Sequence, residues 1–309
     1  MIHSGLYYKP GGLKARLCVS GSASMAAYAG ERGLPVEIGG KLVVAVDSRE
    51  LPALAELERR GTANGVPVRR LDAVAAREYE PEVRCVAALR VASTGIVDYA
   101  AVARALAAEL AADGAELRTG VEVLGVHADG TGVRLQTSAG ELRGDGLVNC
   151  AGLHSDRIAR LAGLVPAARI VPFRGEYFEL TPAAAARVRG LIYPVPDPAF
   201  PFLGVHLTRG IDGSVHAGPN AVLALCREGY RWWDVSARDL GEILGYPGFW
   251  RLARRHACTG VVELARSVSR RAFAAALSRL VPGITAADLV RRPGWGAGSS
   301  RRDRRRPAE

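Results

Sequence analysis

The chain is poor in the residues that would staple or tether it. Its cysteines, Cys18, Cys85, Cys150, Cys226 and Cys258, are odd in number, far apart and never in a C-x-x-C pair. Neither a disulfide framework nor a zinc site follows from such spacing, and a reducing, cytoplasmic setting is the expectation. No run approaches the ~18–20 apolar residues needed to cross a bilayer, and the N-terminus lacks the apolar stretch of a signal peptide. No repeat of fixed period is visible. Among the 36 glycines there is no G-x-G-x-x-G; "GWGAGSS" near the C-terminus has the wrong spacing and no strand before it.

What is present is enough for a folded protein. With 309 residues, 49% of them hydrophobic, the chain can bury a sizeable core, which excludes disorder throughout. A formal charge of +10 invites a nucleic-acid reading, but its distribution argues otherwise. The stretch "RRDRRRPAE" gathers five arginines against Asp303 and Glu309, while the remaining arginines are interspersed with acids as on an ordinary solvated surface. No aromatic stacking platform or recognition helix accompanies them, so no nucleic-acid partner is expected.

Residues 2–12, "IHSGLYYKPGG", read as a binding loop rather than as the polar lead-in of an ordinary terminus. "GGKLVVAVD" (Gly39 to Asp47) predicts a buried strand, followed by a helix capped by Ser48 and ended at Asn64-Gly65. Asp98 is the expected N-cap of a second helix, with Val102, Leu106 and Leu110 as an i, i+4, i+8 stripe and Gly114 as its stop. Short alternating strands then turn at Asp129-Gly130 and Ala139-Gly140 and feed an apolar strand, "GLVNCAG" (Gly146 to Gly152). Ser155 or Asp156 is the expected cap of the helix after it. A strand delivering small residues to a helix N-terminus suits a cofactor, because bare backbone N–H groups point outward there. From about Arg169, strands punctuated by aromatics and prolines predict an antiparallel sheet, with helices again near the C-terminus.

Taken in order, "IHSGLYYKPGGLKARLCVSG", "STGIVDYAAVARALA", "GLVNCAGLHSDRIARLAG", "PFRGEYFEL", "LIYPVPDPAFPFLGVHLTRGIDGSVHAGPNAVLA" and "REGY" closely resemble the L-2-hydroxyglutarate oxidase/dehydrogenase family. These are FAD-dependent enzymes of the D-amino-acid oxidase-like superfamily. The resemblance runs from Ile2 to about Pro293. It implies a mixed α/β fold, with an FAD-binding Rossmann-like domain from residues 1–38 and 85–168 and an antiparallel-sheet substrate domain from 39–84 and 169–292. It also implies FAD as cofactor, a dicarboxylate substrate, and an electron acceptor that is oxygen, a quinone or another carrier. A peripheral contact with the inner membrane stays open. Family members carry an upstream strand and a G-x-G-x-x-G turn that receives the FAD pyrophosphate, so the chain is expected to be incomplete in its FAD-binding part. The tail at 293–309 is expected to be a frameshift product. An inactive folded remnant, or an interaction module of the same fold, is the competing expectation.

Oxidising a 2-hydroxy acid moves a hydride to the flavin while a base takes the hydroxyl proton. His206 in "FLGVHLTR" is the expected base, since imidazole titrates near neutrality and the motif lies on the presumed substrate sheet. His216 is the alternative; His127, His154 and His256 lack such context. Arg174 and Arg209 are candidate carboxylate ligands, because a guanidinium binds carboxylates bidentately; for both an internal salt bridge, with Glu176 an obvious partner, is equally open. Thr208 belongs to the same motif, and Tyr177 either donates to a carboxylate or packs. By resemblance His3, Ser4 and Gly5 lie against the flavin ring, Val121 and Val123 match the strand that meets the adenine, and Ala151 and Gly152 match the loop approaching the cofactor.

Overall fold

The computed structural model describes residues 1–196 and 204–291, and the side chain of Cys258 is not described. The expected basic tail at 293–309 and the Asp197 to Leu203 part of the longest motif lie outside the described residues. The backbone divides into two compact units, one of Met1–Ala105, Gly175–Val222 and His256–Glu309, the other of Leu106–Arg174 and Leu223–Arg255.

The first unit is built on an eight-stranded sheet whose order, edge to edge, is Leu289–Val290, Phe173–Leu180, Val215–Leu223, His206–Arg209, Leu191–Pro194, Lys41–Ala45, Ala87–Val91 and Val68–Asp72. The strand expected at Gly39 to Asp47 is thus central, and its five residues are all buried. One expectation needs correction: the sheet is mixed rather than antiparallel. Lys41–Ala45 pairs antiparallel with Ala87–Val91 but parallel with Leu191–Pro194, Val43 facing Tyr193. A strand flanked on both sides and covered on both faces must be apolar throughout, which explains the run "LVVAV".

Alternation along the strands sorts side chains onto two faces. Leu42, Val44, Ile192, Leu207 and Phe178 join Phe273 and Leu277 of the helix Arg270–Ser278. Val43, Ala45, Leu89, Leu191 and Tyr193 join Leu6 and the helix Leu51–Ala63 through Leu54 and Leu57. Each such side chain contributes about 1.5–3 kcal/mol on leaving water. The helix ends at Asn64-Gly65 as expected, but its entry is capped by Asp47, which accepts from the Arg49 N–H, not by Ser48. A short 3-10 turn at Ser48–Glu50 intervenes and shifts the cap back by one residue. The N-terminal segment is fixed by a bridge between Ile2 and Gly95, and Asn64 Nδ2 donates to the carbonyls of Gly5 and Tyr8 at 3.1 and 3.0 Å.

In the helix Tyr99–Ala112, Asp98 accepts from the Ala100 and Ala101 N–H groups, the expected cap. Of the expected stripe Val102 is buried, whereas Leu106 and Leu110 are 43% and 48% exposed, so only the first turn is anchored.

The second unit holds an antiparallel meander, Val123–Ala128, Val133–Thr137 and Gly140–Gly144, turning where the sequence indicated. The strand expected at Gly146 to Gly152 is absent. An all-apolar strand needs neighbours on both sides; no described strand pairs with this segment, and Val148 is 84% exposed. Nor do Ser155 or Asp156 cap the helix Ser155–Leu161: its N-cap is His154, without a side-chain bond, because the Asp156 carboxylate is taken up by arginines.

Candidate active site

The strand alternation gathers a group of side chains on the sheet face that carries Tyr193. Lys41, first residue of the central strand, is 2% exposed. Its Nζ stands 4.3 Å from the Tyr7 ring centroid and 5.1 Å from that of Tyr193. Tyr193 in turn stacks on the His206 imidazole, centroids 3.9 Å apart. The Tyr193 hydroxyl lies 3.4 Å from Thr208 Oγ1 and donates to Met1 Sδ at 3.1 Å. Register explains the assembly: Leu191 faces Thr208, and His206 faces Gly218. Gly218, at φ 151°, is required here, since a Cβ would fall 2.6 Å from Tyr177 Cδ1 and 2.8 Å from the Glu176 carbonyl. Its absence lets Tyr177 approach the same face.

Electrostatics in this group are one-sided. Burial lowers the Lys41 pKa to about 7. The His206 pKa falls to about 4, chiefly through burial, with Lys41 and His3 adding to the effect. His3 also falls to about 4 through desolvation, then Lys41 and the chain's own amine. Burial raises the tyrosine pKa values of Tyr7, Tyr177 and Tyr193. Both imidazoles are therefore neutral at pH 7. The Gly204 carbonyl, 3.0 Å from His206 Nδ1, can only accept, so the ring proton sits on Nδ1 and Nε2 keeps a bare lone pair.

Of the residues named from the sequence, His206, Thr208, Tyr177 and His3 lie in or beside this group. The sequence reading missed Lys41, Tyr7 and Tyr193; a lysine heading an otherwise apolar strand was the available signal. Arg209 follows Thr208 and so points to the opposite face of its strand; its charge is felt by Glu80. Arg174 belongs to the second unit and is 5% exposed; its guanidinium lies 4.5 Å from the Trp232 ring centroid and donates to the Arg231 carbonyl at 3.4 Å. Glu176, its suggested partner, accepts from Ser267 Oγ. His216 Nε2 is 2.8 Å from Ser214 Oγ, which donates to Asp212 at 2.5 Å. Near the N-terminus, Ser4 and Gly5 are buried, and Gly5 takes φ 89° with a would-be Cβ 2.9 Å from Val19 Cγ2. In the second unit Val121 precedes the meander's first strand, which Val123 opens, while Ala151 and Gly152 lead into the helix Ser155–Leu161.

The second unit carries its own charged cluster. Arg227 bonds both oxygens of Asp156, one at 3.1 Å, and reaches Glu242 at 2.9 Å. Arg157 bonds Asp239 and, at 2.9 Å, Glu242. Burial alone would raise the Asp156 pKa; the Arg227 hydrogen bond and charge outweigh it and hold the group at about 2.

Residues 1–296 match the family model "FAD dependent oxidoreductase". The chain belongs to that family. It is 43% identical over 292 residues to the L-2-hydroxyglutarate dehydrogenase of Indibacter alkaliphilus, covering 94% of this chain and 73% of that one. It is 42% identical over 306 residues to the mitochondrial L-2-hydroxyglutarate dehydrogenase of Homo sapiens, covering 95% and 66%. The Escherichia coli K12 enzyme of the same name is 41% identical over 290 residues, covering 94% and 69%. Among solved structures, L-α-glycerophosphate oxidase from Mycoplasma pneumoniae with FAD bound superposes with TM-score 0.74 at 19% identity, covering 94% of this chain and 69% of that one. Glycine oxidase from Geobacillus kaustophilus gives 0.67 at 19% identity, covering 94% and 68%. Both likenesses concern the fold.

Proposed function

We propose that the chain carries out FAD-dependent oxidation of L-2-hydroxyglutarate to 2-oxoglutarate, with His206 as the base. The observation that carries this reading is the His206 tautomer: a neutral imidazole whose free Nε2 is an acceptor and whose orientation is fixed by Gly204 and the Tyr193 ring. Such a group can take the proton of a substrate hydroxyl. The identity to dehydrogenases named for this substrate supports the choice of hydroxy acid.

The residues present fit the cofactor's ring. Ser4 Oγ and the Tyr7 hydroxyl are buried without a hydrogen-bond partner among the described residues, a cost of about 1–3 kcal/mol each unless a bound polar group satisfies them. His3, Ser4 and Gly5 are proposed to hold the flavin ring, with Val121, Val123, Ala151 and Gly152 as further cofactor residues. FAD, when bound, accepts the substrate's hydride. Thr208 and Tyr177 orient the hydroxy acid, and His206 holds its proton at Nε2. Arg174 is proposed as a further carboxylate ligand. The assignment of residues 1–38 and 85–168 to cofactor binding, and of 39–84 and 169–292 to substrate, belongs to the same proposal. A second electron acceptor completes the cycle.

The test is anaerobic dye reduction by the purified protein supplied with FAD, with 2-oxoglutarate measured as product. Turnover of L-2-hydroxyglutarate but not of its D-enantiomer is expected. Turnover of glycerol 3-phosphate or glycine instead would overturn the reading.

A further inference from the structure

We propose that Lys41 is the carboxylate receptor of this site: its ammonium, buried between the Tyr7 and Tyr193 rings with no anion of its own among the described residues, binds a carboxylate of the hydroxy acid. The inference rests on the reaction proposed above and adds a substrate-binding residue to it.

An isolated ammonium removed from water is strongly disfavoured, so buried lysines are paired or surrender their proton. Lys41 has no ion pair and no side-chain hydrogen bond to any described residue, although it is 2% exposed. Two aromatic faces, at 4.3 and 5.1 Å, attract a cation but do not replace a counter-ion. Of the groups coupled to it, the two imidazoles make the deficit worse; Cys18 alone acts to raise the Lys41 pKa, and burial pushes that thiol's own pKa up. His3 and His206 are both depressed by its charge, Cys18 Sγ feels it, and the chain's amine acts on the same His3. Tyr7 and Tyr193 are too strongly shifted upward to ionise in the working range. No carboxylate is among the groups that act on Lys41.

A site with the Lys41 ammonium, the chain's own amine, two neutral imidazoles and an unpartnered tyrosine hydroxyl has donors and positive potential but, among the described residues, no anion. A carboxylate completes it: it supplies the missing charge, accepts from Nζ and leaves His206 Nε2 free for the hydroxyl. A lysine that merely fills space would be neutral, would bind nothing and would be replaceable by Met. Because Lys41 titrates near neutrality in the free protein, carboxylate binding must take up a proton as pH rises past about 7.

The experiment measures 2-oxoglutarate binding by calorimetry between pH 6 and 9, with FAD in excess, for wild type, Lys41→Met and Lys41→Arg. Wild-type affinity is expected to weaken up to tenfold per pH unit above about pH 7. Lys41→Met is expected to bind at least tenfold more weakly at pH 6 and to lose that dependence. Lys41→Arg, whose guanidinium stays charged, is expected to bind with little change up to pH 9. Thermal unfolding of each variant reports folding separately; if Lys41→Met does not fold, the flattened profile of Lys41→Arg still decides. Binding by Lys41→Met within twofold of wild type, or by Lys41→Arg with the wild-type pH profile, would overturn the assignment. Lysine-dependent binding without oxidation of L-2-hydroxyglutarate would remove the proposed reaction and keep the receptor.

Discussion

Two groups of charged and basic side chains in this molecule obey opposite rules. In the second unit Arg157 and Arg227 are matched against Asp156, Asp239 and Glu242, and every carboxylate there is held ionised. In the first unit Lys41, His3 and His206 are basic groups coupled to one another with no acid among them, and all three have depressed pKa values. The difference separates charge used to hold a fold from charge held ready for a ligand. A satisfied network repays its own desolvation internally. An unsatisfied one persists because the strands around it, pinned by Val43, Leu89 and Tyr193, fix it from both sides.

The sharpest way to break this comparison is to remove one partner from each group. Arg227→Met leaves buried Asp156 and half-buried Glu242 short of a cation, and should cost about 3–5 kcal/mol in urea unfolding. Lys41→Met, measured at the same pH 6, removes a charge that had no partner and should cost nothing or stabilise. Equal losses in the two variants would mean that Lys41 is structurally compensated after all.

Next in size is His206→Ala. Removing a general base typically costs 10²- to 10⁴-fold in kcat, and the loss should appear in kcat rather than KM because the residue acts on the reacting hydroxyl. Steady-state kinetics with L-2-hydroxyglutarate checks it; a change confined to KM would reassign His206 to binding.

The contrast also explains what was legible in the sequence. His206, Thr208 and the His3-Ser4-Gly5 loop could be proposed from the sequence because they sit in long, specific motifs. The central strand was readable because "LVVAV" has no alternation and is bounded by Gly39-Gly40 and Asp47-Ser48. Lys41 was not, because a lysine heading a strand is usually at the surface; its burial depends on pairing with Tyr193, 152 positions along the chain, and on Tyr7 closing over it. The helix Leu13–Glu31 was missed for a related reason: Ser20, Gly21, Ser22 and Ser24 blur its periodicity, and Leu13 and Leu17 are exposed. The strand at Gly146 to Gly152 was over-read, since apolar composition indicates a preference for burial and not the neighbours that would supply it.

Stability against pH sharpens the comparison further. The Lys41 pKa is lowered from 10.5 to about 7, so between those values the unfolded chain binds more protons and stability should rise with pH, by at most ~1.4 kcal/mol per unit from this one group. Asp156 acts at the other end: its contribution is complete above 3.8 and is lost as pH falls toward about 2. Urea midpoints across pH 7 to 10 should therefore rise in wild type and flatten in Lys41→Met. A wild-type profile falling over that range would contradict the buried, depressed lysine.

The smallest effect tests strand alternation itself. Thr208 and Arg209 are adjacent in sequence, but only Thr208 shares the face of His206 and Tyr193, where its hydroxyl lies 3.4 Å from the tyrosine oxygen. Thr208→Val keeps shape and burial while deleting one hydrogen-bonding group, a net loss of about 0.5–1.5 kcal/mol, so KM should rise two- to tenfold. Arg209→Ala removes a full charge from the opposite face and should leave KM within twofold, despite being the more drastic change. If Arg209→Ala raised KM more than Thr208→Val, the substrate would have to meet the other side of this strand, and the assembly of Lys41, Tyr193 and His206 would lose its claim to be the active site.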